Sequence, residues 1–146
     1  MADPRDVMRG FFAALSTGDF GAIGEFLGDD SVWQVSNVAR GHPSERGRQA
    51  IIEDFLRPVR EGLFEPGDPK IEVVRMIADG DWVATEAIGR GTLRNGKAYE
   101  NSYVFVAQVR GQRVQFLREY MDTAYAFDVS RGASPDEDRL PDAARP

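Results

Sequence analysis

The chain has 146 residues, a net charge of -6, no cysteine and a single histidine, with 42% hydrophobic and 29% charged residues. That length fits one domain with one core or pocket, the missing thiols exclude disulfides and thiolate nucleophiles, and a lone histidine argues against a histidine metal cluster. The acidic balance with scattered arginines argues against a nucleic-acid partner, and no apolar run approaches the ~20 residues of a membrane span.

The N-terminus MADPRDVMRG lacks the basic flank and apolar core of a secretory signal, so the expected location is cytoplasmic. The segment RDVMRGFFAALSTGD then places Val7, Met8, Phe11, Phe12 and Leu15 at helical spacing, with Asp3 or Asp6 near its start and an end at Thr17-Gly18. Asp19 reads as the N-cap of a second, shorter helix, FGAIGEFL. GDD breaks it, SVWQV reads as a short strand, and SNVARGHPSERG as a loop. Between Arg46 and Gly62 the residues Ile51, Ile52, Phe55, Leu56 and Val59 fit a third helix, which Pro58 is expected to kink or end.

From Lys70 onward the period changes from helical to alternating. Turn signals at Ala78-Asp79-Gly80-Asp81, Arg94-Asn95-Gly96 and Arg110-Gly111-Gln112 divide this half into four long strands, a meander of hairpins. Helices followed by an antiparallel sheet predict an α+β domain over residues 1–127. A polar tail, 128–146, rich in Pro, Asp, Arg and Ala, is expected to be disordered.

The last strand contains FLREYMDT, where alternation sets Glu119 on one face between Leu117 and Met121. In the hairpin register the same face takes Tyr99, Asn101, Tyr103 and Phe105 from the preceding strand and Thr85, Ala87 and Gly89 from the one before; Glu86 and Glu100 point away. A bulge at Gly89-Arg90-Gly91 would reverse the faces beyond it.

Three features carry a family likeness in their order and spacing: a first helix ending ALSTGDF, a strand and loop leading to RGRQAIIEDF, and a last hairpin with GQRVQFLREYMDT. Together they resemble the nuclear transport factor 2-like superfamily. Within it they resemble the SnoaL-like, ketosteroid-isomerase-related proteins and limonene epoxide hydrolases, over roughly residues 5–127. The resemblance implies a cone: a strongly curved, mostly antiparallel sheet around three N-terminal helices, with a pocket inside and a homodimer as the usual assembly. Against limonene epoxide hydrolases, the last-strand carboxylate looks like Glu119. Their Arg and second Asp fall on Ala87 and Gly89, and their Tyr and Asn on Trp33 and Val35. Against ketosteroid isomerases, the general base falls near Val35 and the oxyanion tyrosine near Phe11. Neither familiar catalytic set is complete.

In such a pocket desolvation raises the pKa of Glu119 towards the range useful near neutral pH, and Asn101 and Tyr103 are the polar groups to orient a substrate carbonyl or a water. Trp33, Val35, Ala87, Gly89, Phe105, Leu117 and Met121 are the expected substrate-binding surroundings; His42 at the mouth and Asp122 at the strand end are further candidates. Against this, Glu119 pairs with an arginine such as Arg90, Asp122 caps or partners Arg118, and the aromatics are plain core. The expected function is a cofactor-independent, metal-free acid–base enzyme, an isomerase, cyclase, dehydratase or hydrolase, acting on a small hydrophobic molecule. The alternative is a non-catalytic ligand-binding or dimerisation module.

Overall fold

The computed structural model describes residues 3–35 and 44–131. His42 and the tail beyond Arg131 lie outside the described residues. Helix α1 (Pro4–Thr17) starts at the side chain of Asp3, which accepts from the Arg5 backbone N–H, and stops at Gly18, whose φ of 71° only glycine adopts freely. Asp19 caps α2 (Phe20–Gly24) by accepting from the backbone of Gly21 and Ala22. This second helix is shorter than its apolar stripe suggests, because Leu27 already belongs to strand β1 (Leu27–Val35). Strand β2 (Ser44–Arg46), within the stretch expected to be loop, pairs antiparallel with β1.

Residues 48–63 are helical throughout, as α3 (Arg48–Ala50), a π-helical segment (Ile51–Leu56) and α4 (Arg57–Leu63). Pro58 neither ends this unit nor stands outside it. Proline has no N–H to offer the carbonyl four residues back and its ring crowds that carbonyl. The wider turns just before it shift the pattern, so that the Arg57 N–H donates to the Ile52 carbonyl five residues back.

The alternating half forms β3 (Lys70–Asp79), β4 (Trp82–Thr92), β5 (Ala98–Arg110) and β6 (Arg113–Met121). The sheet is mixed and open, in the order β2-β1-β6-β5-β4-β3, with β1 parallel to β6 and the other pairs antiparallel. The β4–β5 ladder runs unbroken from Trp82 opposite Gln108 to Thr92 opposite Ala98, so there is no bulge at Gly89-Arg90-Gly91 between these strands. The irregularities fall instead at Val74 on β3, at Gln115 on β6 and between Leu27 and Val32 on β1.

A last helix, α5 (Thr123–Ser130), follows the sheet and was not foreseen; it runs past residue 127 into the stretch read as polar tail. The expectation of three N-terminal helices is therefore corrected: one of them is a composite of α3, the π segment and α4, and another helix follows the sheet. The core lies between α1 and the inner sheet face, where Met8, Phe11, Phe12, Ile23, Val83, Ala107 and Leu117 are buried. Phe64, Leu93 and Tyr99 form a second cluster against which Tyr125, Ala126 and Val129 of α5 pack. No helix among the described residues is long and apolar enough to cross a membrane.

Candidate functional site

Between the composite helix, α5 and the inner sheet face lies a cavity of about 220 Å³. Its walls are almost entirely hydrocarbon and aromatic, from Leu15, Phe55, Leu56, Val59, Leu63, Phe64, Ile71 and Phe127. Four ionisable side chains line it: Glu119, Arg60 and the neighbouring Tyr99 and Tyr103.

Glu119 stands on β6 opposite Phe105 of β5 and Val35 of β1. Its residue is 7% exposed, and its one hydrogen-bond partner among the described residues is the Trp33 indole, whose Nε1 donates to Oε2 over 2.9 Å. Arg90 is not its partner: that side chain points to the outer face and pairs with Glu72 and Glu100. Burial pushes the Glu119 carboxyl up to about 7, against a smaller downward pull from the indole N–H. Glu119 thus exchanges its proton near neutral pH.

Tyr99, Asn101 and Tyr103 share the inner face of β5 because alternate strand residues do. The Asn101 Nδ2 donates to the Asp122 carbonyl over 3.0 Å and to the Tyr99 hydroxyl over 3.1 Å. A backbone carbonyl only accepts, so the orientation of the amide is pinned and Tyr99 must accept from it. The Tyr99 and Tyr103 hydroxyls are in close contact, and one donates to the other. Whichever donates, one hydroxyl hydrogen of the pair is left without an acceptor among the described residues. Burial holds Tyr103 far above the usual phenol range and raises Tyr99 as well, so both hydroxyls keep their hydrogens. Each bond in such a chain polarises the next.

Trp33, Val35, Tyr103, Phe105, Glu119 and Met121 all border the cavity. Asn101, 3% exposed, sits behind the tyrosines and positions them. Leu117 and Ala87 are core residues outside the cavity wall. Gly89 lies under the Tyr103 ring, where a Cβ would come within 2.8 Å of Cε2, so glycine there makes room for the aromatic. Asp122 caps α5 by accepting from the Tyr125 N–H, while Arg118 bonds Gln34 instead. Among the described residues no three acidic or histidine side chains converge as a metal cage requires.

Sequence reasoning passed over Arg60 and the α5 residues. The signal for Arg60 was present: it stands four residues after Leu56 and eight after Ile52, on the apolar stripe of its helix. For α5 the only hint was Tyr125, Ala126 and Phe127 ahead of a polar tail.

The SnoaL-like domain family matches residues 8–116 of the chain. No curated protein matches it in sequence. Among solved structures, TerC co-crystallized with polyporic acid superposes with a TM-score of 0.76 at 18% identity, over 88% of this chain and 98% of that one. An NTF2-like protein of unknown function from Burkholderia pseudomallei reaches 0.76 at 19% identity, over 89% and 98%. A hypothetical protein with a ketosteroid isomerase-like fold from Catenulispora acidiphila, in complex with trimethylamine, reaches 0.72 at 17% identity, over 86% and 92%. At these identities the likeness is one of fold.

Proposed function

The chain belongs to the SnoaL-like domain family, and on that premise we propose that it is a cofactor-independent acid–base enzyme acting on a small, mostly hydrophobic carbonyl compound. The observation that carries the reading is the carboxyl of Glu119, buried in an apolar cavity, with a pKa of about 7 and no cationic partner among the described residues.

In this reading the Glu119 carboxylate takes a proton from a carbon next to the substrate carbonyl. The electron pair moves onto the carbonyl oxygen, which accepts the free hydroxyl hydrogen of the Tyr99–Tyr103 pair, and Glu119 returns the proton at a second atom. Return to another carbon is an isomerisation; attack of the enolate carbon on a second carbonyl is a cyclisation; loss of a β-hydroxyl protonated by Glu119 is a dehydration. Trp33, Val35, Phe105 and Met121 hold the apolar body. Hydrolysis in the manner of limonene epoxide hydrolases has less support, because no second acid lines the cavity among the described residues. The outer sheet face exposes Val74, Ile77, Trp82, Val104 and Tyr120, and it is the surface through which we propose the chain forms a homodimer.

The test begins with a thermal-shift screen of cyclic and aromatic ketones, followed by turnover assays on each compound that raises the melting temperature. Glu119→Gln is expected to lower kcat by about 100-fold or more while leaving affinity within about threefold. Compounds that bind but are never turned over by the unmodified protein would place it among binding modules.

A further inference from the structure

Arg60 is the least expected residue in the cavity wall. It projects from α4 and is 8% exposed, and its one hydrogen bond among the described residues runs from Nη2 to the Pro69 carbonyl over 2.7 Å. Nη1 is buried and has no hydrogen-bond partner among the described residues. The side chain takes part in no ion pair among the described residues. Asp68 lies within electrostatic reach, but its Oδ2 is engaged by the Thr92 N–H. Burial draws the guanidinium below its usual range, yet an arginine stays charged at any working pH.

Asp68 offsets part of the cost of burying the guanidinium, but no carboxylate among the described residues is in contact with it, and the neighbouring wall of Leu15, Leu56, Val59, Leu63 and Ile71 would accept an apolar side chain in its place. Carboxylates match the guanidinium fork in shape and charge.

We propose that the Arg60 side of the cavity is an anion-binding subsite, and that the substrate is an apolar molecule bearing a carboxylate. This rests on the reading of the cavity as the substrate site and narrows it. Glu119 and Tyr103 act on the carbon skeleton and its carbonyl, while Arg60 anchors the acid group and so sets which end of the molecule faces Glu119. The substrate class becomes a cyclic or aromatic keto acid.

The experiment uses the full chain and a panel of matched acid and amide pairs, benzoate with benzamide, cinnamate with cinnamamide, and 2-naphthoate with 2-naphthamide. Affinities are measured by calorimetry near pH 6, where Glu119 is mostly neutral. At least one acid is expected to bind about tenfold or more tighter than its amide. Arg60→Met is expected to abolish that preference while the amide binds as before. Arg60→Gln, which can keep the bond to Pro69 and lacks the charge, should do the same and serves if the methionine variant does not fold. A panel with no preferred acid overturns the proposal, as does a preference that survives both substitutions. Glu119→Gln separates the two readings. It should retain the acid preference, so a catalytic failure at Glu119 leaves the subsite standing, and failure at Arg60 leaves Glu119 untouched.

Discussion

Trp33 donates its indole N–H to Glu119 across 86 positions of sequence, because β1 lies parallel to β6 and sets Trp33 opposite Leu117 and Val35 opposite Glu119. This one bond orients the acid, and burial leaves the acid neutral for much of the time near pH 7. Four consequences can be measured.

The first concerns stability against pH. The folded-state pKa of Glu119, about 7, lies above the 4.5 of the free side chain, so the folded chain binds the proton more tightly. The stabilising contribution of the neutral form is complete below the unfolded value and is lost as pH rises through the folded one. Ionising the group in place costs on the order of 3 kcal/mol. Glu119→Gln removes that penalty, so its stability relative to the unmodified protein should rise between about pH 5 and about pH 8.5. Urea unfolding at both ends measures it; an unchanged difference would mean that the carboxyl ionises freely.

Trp33→Phe removes the only donor to the carboxylate among the described residues. The Glu119 pKa should then move above its present value, since desolvation is left unopposed. Carbon-13 NMR titration of the glutamate carboxyl reads it directly, and the low-pH limb of a turnover profile should move in the same direction. A downward movement would show that water enters and solvates the acid.

Gly89→Ala tests the packing beneath the tyrosine relay. The new methyl would sit 2.8 Å from Tyr103 Cε2, and that ring is stacked on Phe105 with centroids 5.3 Å apart and planes 8° apart, so it has little room to yield. A loss of about 1–3 kcal/mol in urea unfolding is expected. Weaker binding of cavity ligands should accompany it, because Tyr103 is pushed from its place.

Asp122→Ala removes the N-cap of α5, which is worth about 0.5–2 kcal/mol to a helix. Ala126, Phe127 and Ser130 of α5 line the cavity, so the effect should appear as faster amide exchange in α5 and faster ligand dissociation. Exchange elsewhere in the sheet should change less. Equal acceleration everywhere would mean that α5 is part of the global folding unit.

The strand faces were legible in the sequence because alternation has a period of two and the hairpin turns carry their own chemistry. Gly111 and Gln112 adopt φ of 57° and 62° in the tight turn between β5 and β6, and Gly80 adopts 61° between β3 and β4. In the unbroken β4–β5 ladder Ala87, Tyr103 and Phe105 fall on one face by counting, and Glu119 joins them because the extra residue Gln115 shifts the β6 register by one. The caps at Asp3 and Asp19 were equally local. What local pattern could not supply was the fate of Pro58, since a π segment depends on how neighbouring carbonyls rearrange. Helix α5 was equally hidden, because its apolar residues matter only against Tyr99 and Leu93.

The sequence by itself determined the α+β class, the inner face of the sheet and the presence of one acid among apolar neighbours, because these follow from periodicity, turn chemistry and spacing along a strand. The tertiary structure alone decided what surrounds that acid. Trp33, not Arg90, meets Glu119, and Asn101 serves the tyrosines from behind. Arg60 reaches the same cavity from α4 and makes no ion pair among the described residues. Hydrogen-bond partners and burial are properties of residues brought together from distant parts of the chain, and they set both the pKa of the carboxyl and the hydrogen-bonded chain of Asn101, Tyr99 and Tyr103.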